Sequence, residues 1–489
     1  MGRSFLVLWA LVAVAACWRL DPVHRPLTGD NQLYFYLAER AASGVPPHVS
    51  HVDTKNQLGV LVTSTAIAAG RRLGVDDVLA SRIVSIAFTA MSVALAAELA
   101  TLLAGSAAAG HVAALALLAA RGFAEHSAAG NNVKIFLVTF VLLAHVAMAR
   151  GGRRGPAGLA AGAAFLCWQP ALLVVAAVAL EALGGRSGSL RRVAVVLVAA
   201  LLPVAAYEAW FAVHGALGEQ LRQAYAMTLG SVHRPSRIVR SLVYLFTEAT
   251  GSSSPLRVGP TSFVVLGSGL LACLAWSPRR MLARLGARDG LLSFVVGAAG
   301  ATAFTLYDHQ GVPDLFFPHP YFAVATGLLV AVAMRAAGRI VPAPAPLAVA
   351  LAVMVALGWQ MRRDDALRQP PRYDLDDQRD VASMVRGYHD SFGSAWVYGA
   401  VHLLGLARLD NHVPYGLFYD DVESVVAVDE YLPLRDGRMP EVIVHGRGGV
   451  PGAQRYLGPD YVEITPEAFA AQSLGVWRRR AAGPRLAPG

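Results

Sequence analysis

Charge is what this sequence has least of. Only 15% of the 489 residues are Asp, Glu, Lys or Arg, against about 25% in an ordinary soluble chain, and mean hydropathy is +0.46. A large water-exposed globule cannot be built from that composition. Cysteine is nearly absent too: Cys17, Cys167 and Cys273 each lie inside an apolar run, with no CxxC pair. That excludes a disulfide framework and a structural zinc site. No glycine-rich loop followed by Lys-Ser/Thr occurs, so nucleotide binding of that kind is excluded. Of 42 basic residues only Lys55 and Lys134 are lysine. The net charge of +9 does not point to nucleic acid, because the arginines collect in short clusters between apolar runs. That is the pattern of loops facing the cytoplasm.

Apolar runs recur from residue 4 to residue 361, several near the roughly 20 residues that cross a bilayer. The clusters at 150–154, 186–192 and 278–288, with Arg335 and Arg339, mark the inner side. A first run at 4–20 reads as a retained span rather than a cleaved signal peptide, because so many spans follow. The runs 57–70, 78–104, 107–121 and 131–149 lead from outside to the inner cluster at 150–154. That requires an odd number of crossings, so 57–70, the shortest, is expected to lie flat on the outer surface. The stretch 156–184 is broken by Pro170 and predicts two short helices. Further spans are expected near 192–214, 260–277, 290–306, 319–334 and 344–361. The chain therefore reads as an α-helical polytopic membrane protein of about eleven spans, occupying residues 1–361. Its outer loops fall at 21–77, 121–131, 215–259 and 307–318. Residues 362–489, rich in Asp, Arg, Tyr and Pro, read as a separate, small, soluble α/β domain outside the membrane. Its helix is expected around "DVASMVRGYH" and its strands at "SVVAV", "EVIVH" and "LGVWR".

Polar density outside the arginine clusters falls on the outer loops. "GDNQLYFYLAERAASGVPPHVSHVDTKNQ", residues 29–57, is the densest stretch. Asp30 opens a helical pattern and has two readings: the N-cap of that helix, or a carboxylate base at the membrane edge. Tyr34 and Asp53 accompany it. Glu125 and His126 stand in the second loop, where a solvated acid is the simpler account. Lys55, Lys134, His233, Arg234 and Arg237 are outer cations, able to meet lipid headgroups or a lipid phosphate. Asp308, His309, Asp314 and His319 crowd one short segment, and its prolines favour a structured re-entrant turn over a metal-ligand set.

An Asp soon after the first span, followed by "Y…A…G.PP" and "D.K…L", resembles the first outer loop of the GT-C glycosyltransferases. These are membrane enzymes that use polyprenyl- or dolichyl-phosphate-linked sugars, protein O-mannosyltransferases among them. The matching residues are Asp30, Tyr34, Ala38, Gly44, Pro46, Lys55 and Leu58; Asn56-Gln57 replaces the usual Pro-Pro. "GLAAGAAFLCWQPALL" (158–173) resembles a second run of the family, with Trp168-Gln169 where Thr-Lys is common. The resemblance implies transfer of a sugar, mannose or similar, from a polyprenyl-phosphate donor to a glycan, lipid or protein acceptor on the outer face of a bacterial inner membrane. Asp30 would be the catalytic base, and the outer cations would hold the donor phosphate. Glu125 and His126 would hold the acceptor or a divalent metal ion, the candidate cofactor. Two other classes stay open: a transporter or flippase of lipid-linked sugars, which predicts charges inside several spans, and a non-catalytic envelope-assembly protein. Acceptor-dependent release of polyprenyl phosphate separates them from the enzyme.

Overall fold

The computed structural model describes residues 3–130, 132–151, 153–184, 189–230, 289–308, 312–340, 355, 373–393, 395–411, 440–446 and 461–480. The expected spans at 260–277 and 344–361, the arginine cluster at 278–288 and the strand "SVVAV" lie outside these residues. Two described helices are long and apolar enough to cross a membrane, Asp77–Ala104 and Leu190–Val213; a bent pair, Ala107–Ala119 with Gly122–Ala129, makes up to three. Shorter apolar helices surround them.

The bundle is built around α5 (Asp77–Ala104). α1 (Arg3–Trp18), α6 (Ala107–Ala119) and α8 (Val133–Ala149) pack on it. α8 carries α9 (Arg154–Cys167), and α9 lies on α11 (Leu190–Val213). Gly158 and Gly162 explain that last contact. A Cβ at either would meet the backbone of Val196 or Ala200, so two small residues four apart let the helices touch backbone to backbone. The break at Pro170 is present: Trp168 is extended, a 3-10 turn covers Gln169–Ala171, and α10 (Leu172–Gly184) follows. α13 (Leu291–Tyr307) packs on α10, and α14 (His319–Ile340) on α6.

The first outer loop folds into α2 (Asp30–Ala42), α3 (Pro47–Ser50) and α4 (Leu58–Arg72). Gly44 ends the α2 segment at φ +94, a backbone state that a side chain disfavours. α4, expected to lie flat, packs against α2, α5, α8 and α9. The segment 121–131, expected as a plain loop, contains a helix, α7 (Arg121–Ala129).

The C-terminal part holds α15 (Leu375–Phe392), β1 (Ala395–Tyr398), α16 (His402–Ala407), β2 (Val442–Gly446), β3 (Tyr461–Glu463), α17 (Glu467–Ala471) and β4 (Leu474–Arg479). The sheet order is β1-β2-β4-β3, parallel between β1 and β2 and antiparallel elsewhere. This part packs on the first outer loop. Leu33, Phe35, Leu37 and Ile67 of the first loop share one apolar core with Val381, Val385, Val397, Leu404 and Val476. Each fully buried side chain of this size contributes about 1.5–3 kcal/mol, so the two parts bury one another. Polar contacts fix the register. Leu27 N–H donates to Gln378 Oε1 (2.8 Å), and Gln378 Nε2 donates back to Leu27 O (2.9 Å). Leu375 N–H donates to His24 O (2.8 Å). The buried Glu39 carboxylate accepts from Arg71 (2.7 Å), which also pairs with Asp77, and Arg40 reaches Asp410 (2.6 Å).

Candidate active site

Asp30 is half-buried and is the first residue of α2; Gly29, at φ +55 and ψ −141, holds the cap position. The reading of Asp30 as N-cap is corrected by that one-residue shift. Its carboxylate still stands in the first helical turn, where the positive end of the helix favours an anion. Arg82 fixes the surroundings. Its guanidinium is buried and donates to the carbonyls of Pro22 (2.8 Å), Ala129 (3.1 Å) and Arg25. One side chain thus ties the start of the first loop to the end of α7.

Tyr34, one turn along α2, is 1% exposed. Burial drives its phenol well above the ordinary range, and the charges of Asp53, Asp30 and Asp314 add to the rise. The charges of carboxylates from three separate segments are therefore felt at one phenol. Lys55 Nζ donates to Tyr34 Oη at 3.3 Å. Asp53 is held in place by Gln57 Nε2 (2.6 Å) and by the Lys55 N–H (3.1 Å). Its own N–H donates to Gln223 Oε1 (3.1 Å).

Lys134 is brought to the same region but not as a lone cation. It is buried, ion-paired with Asp314, and its Nζ lies 4.2 Å from the centre of the Trp168 ring. Its charge is already matched from a segment 180 residues on. Asp314 sits on the 3-10 turn Val312–Phe316. Glu125 faces Arg25 at 3.9 Å. His126 packs edge-on against Phe316 (5.4 Å) and feels the charges of Asp30, Glu125, Arg25 and Lys134. Asp308 closes α13. His233, Arg234, Arg237 and His309 lie outside the described residues.

No group of three or more His, Cys, Asp or Glu able to hold a metal ion occurs among the described residues. With Glu125 set against Arg25, Glu125 and His126 do not make a divalent-ion site by themselves.

Sequence reasoning passed over Arg25, Arg82, Gln223, Tyr207 and Tyr225. It noted Asn56-Gln57 and Trp168-Gln169 only as departures, and the structure gives each a task. Gln57 N–H donates to Tyr207 Oη (2.8 Å), a bond that proline could not make. Asn56 Nδ2 donates to Phe165 O (3.1 Å). Gln169 Nε2 donates to Thr54 O (2.8 Å) and Ala224 O (2.9 Å).

No family model and no curated protein matches the sequence. Solved structures match along its length. ArnT from Cupriavidus metallidurans, bound to undecaprenyl phosphate, aligns with a TM-score of 0.59 at 14% identity, covering 99% of this chain and 100% of that one. The chain has the GT-C fold. Two further GT-C structures align in the same way. The Archaeoglobus fulgidus oligosaccharyltransferase, in complex with zinc and sulfate, aligns at 0.55 and 13% identity over 90% of this chain and 68% of that one. The mycobacterial arabinofuranosyltransferase AftD gives 0.54 and 16%, with 99% of this chain covering 40% of AftD. The GT-C resemblance read in the first loop is thus joined by a likeness of fold. At these identities the likeness is one of fold.

Proposed function

We propose that this protein is a membrane glycosyltransferase that moves a sugar, mannose or similar, from a polyprenyl-phosphate-linked donor to a glycan, lipid or protein acceptor. The observation that carries the reading is Lys55 on the hydroxyl of the buried Tyr34, one turn along α2 from Asp30, with Asp53 fixed by the Lys55 N–H and by Gln57. A carboxylate base and a cation thus come from two segments of the first loop of a GT-C fold.

In this reading Asp30 takes the proton from the acceptor hydroxyl as its oxygen attacks the anomeric carbon. The bond from that carbon to the phosphate oxygen breaks, and polyprenyl phosphate leaves as an anion. The leaving group needs no acid because its charge is already stabilised; Lys55 is the cation assigned to receive it. Proton removal by a positioned base is worth about 10²–10⁴-fold in rate. The bundle is placed in a bacterial inner membrane. The first loop and residues 362–489 lie outside, and α4 is flat on the outer surface. A transporter reading has less support. Glu98 pairs with Arg150 (2.6 Å), and Glu181 accepts from the backbone of Ser293 (2.8 Å) at the start of α13. Both are spoken for as structural contacts near helix ends.

The test is Asp30→Asn in purified protein. Asn keeps the shape but is no base at neutral pH. Sugar transfer from a polyprenyl-phosphate donor is expected to fall about 10²–10⁴-fold with melting temperature unchanged. A stable, fully active Asn variant would falsify the assignment.

A further inference from the structure

The three departures from the family pattern meet in space. Asn56, Gln57 and Gln169 come together with a π-helical turn, Arg222–Met227, and with the outer end of α11. Such turns are rare and concentrate at functional sites. Gln220 Nε2 donates to Glu208 Oε1 (3.2 Å), and so does Tyr225 Oη (3.1 Å). The rings of Phe165 and Tyr225 stack with planes 10° apart and centres 6.3 Å apart. Phe165, Gln169, Glu208 and Tyr225 are half-buried, whereas Asn56, Gln57 and Gln220 are fully buried.

This group has an imbalance. Asn56 Oδ1, Gln57 Oε1, Gln220 Oε1 and Glu208 Oε2 are buried and have no hydrogen-bond partner. Buried oxygens are nearly always matched in folded proteins. Four that are not, within one cluster, call for a ligand that brings donors. Every unmatched atom is an acceptor. Among the described residues the charged groups beside them are Glu208, Asp53 and Glu219, with Lys55 next to Gln57 and Arg222 taken up by Glu219 (2.6 Å). A phosphate would be repelled there. Hydroxyl groups fit, because each supplies a donor without charge, and paired aromatic faces take the apolar side of a ring.

We infer that this amide cluster binds a neutral sugar ring, either the sugar carried by the donor or the acceptor glycan. The phosphate end of the donor belongs to the Lys55 side, which joins the cluster through Asp53 and Gln57. This inference rests on the reading of the protein as a glycosyltransferase, and it deepens that reading by separating a sugar subsite from the phosphate subsite.

The experiment measures binding without turnover, on the full-length protein in nanodiscs. The probes are methyl α-mannopyranoside, methyl α-arabinofuranoside and, separately, undecaprenyl phosphate. One of the two glycosides is expected to raise the melting temperature saturably. Asn56→Leu and Gln220→Met are each expected to weaken that binding about tenfold, the loss of one good hydrogen bond, and to leave undecaprenyl phosphate binding unchanged. Lys55→Met is expected to do the reverse. Glycoside binding that persists in the presence of a saturating undecaprenyl-phospho-sugar assigns the cluster to the acceptor; displacement assigns it to the donor sugar. Two results overturn the inference: neither glycoside binds, or the two variants weaken the lipid phosphate instead of the glycoside. Asp30→Asn should bind glycoside as the parent does. An active Asp30→Asn protein would therefore sink the catalytic reading and leave this binding result standing or falling on its own.

Discussion

Gln378 and Gln57 are both fully buried glutamines, and both hold the first loop. They use their amides differently. Gln378 spends both ends on the backbone of Leu27, and Asn411 does the same to Val397, with bonds of 3.0 Å in each direction. These side chains act as one more rung of a sheet. Gln57 spends its nitrogen on Asp53 and leaves its oxygen unmatched, as do Asn56 and Gln220. The first kind lies where the C-terminal part docks; the second kind lies where the first loop meets α11 and the π-helical turn. A matched amide belongs to the fold, and replacing it should cost stability. A half-matched amide is held ready for another molecule, and replacing it should cost binding.

The buried charges give the largest test of that distinction, because Lys134 and Asp314 form a buried ion pair. Lys134→Met should lower stability by about 3–5 kcal/mol, since it strands a buried carboxylate. Adding Asp314→Leu should recover most of the loss. Thermal unfolding of both variants measures this, and a double variant as weak as the single one would contradict the account. Gln378→Met comes next. It strands the Leu27 N–H, worth about 1–3 kcal/mol when buried and unmatched, and takes one of two donors from the Leu27 carbonyl, which Gln32 Nε2 also reaches (3.1 Å). The melting temperature should fall clearly, and sugar transfer should fall with it at unchanged lipid phosphate binding.

The pH response sits below these. Burial pulls His51 down to about 4, and His48 moves the same way. The unfolded chain then takes up a proton before the folded one does as pH falls. Stability contributed by neutral His51 is complete above about 6.5 and is lost progressively towards pH 4, by about 3 kcal/mol at most. His51→Gln should flatten melting temperature against pH across that window; an unchanged slope would exclude His51 as the source. The smallest effect is expected at Asn56→Leu. Its oxygen has no partner to lose, so the cost should stay within about 1 kcal/mol, the net worth of its single bond to Phe165. A loss as large as that of Gln378→Met would erase the contrast between the two kinds of amide.

Much of this was legible in the sequence. The low charge and arginine clusters give a helical membrane bundle, Pro170 gives the break after α9, and valine-rich runs give β2 and β4. The first loop could be singled out by Asp30, Tyr34 and Lys55. What could not be read is pairing over distance. Nothing local to Lys134 announces Asp314, and nothing in "DVASMVRGYH" announces that the glutamine just before it grips Leu27. Local geometry misled at Asp30 by one residue, because Gly29 takes the cap with a positive φ. One signal was available and unused. "LYFYLA" in α2 is apolar right round the helix and buried right round it. A helix of that kind needs protein on all sides, which argues against a C-terminal part standing free of it.

The grip of Gln378 on Leu27 has a consequence for the order in which the protein is made. Leu27 leaves the ribosome 351 positions ahead of Gln378. Until then the Leu27 N–H lacks its native partner, and the Leu27 carbonyl has only Gln32 Nε2 (3.1 Å) of the two amides that reach it. A chain that has made the whole first loop still lacks the second half of the apolar core on which that loop rests. Residues made late thus complete a core begun early, and the first loop reaches its final form only after them.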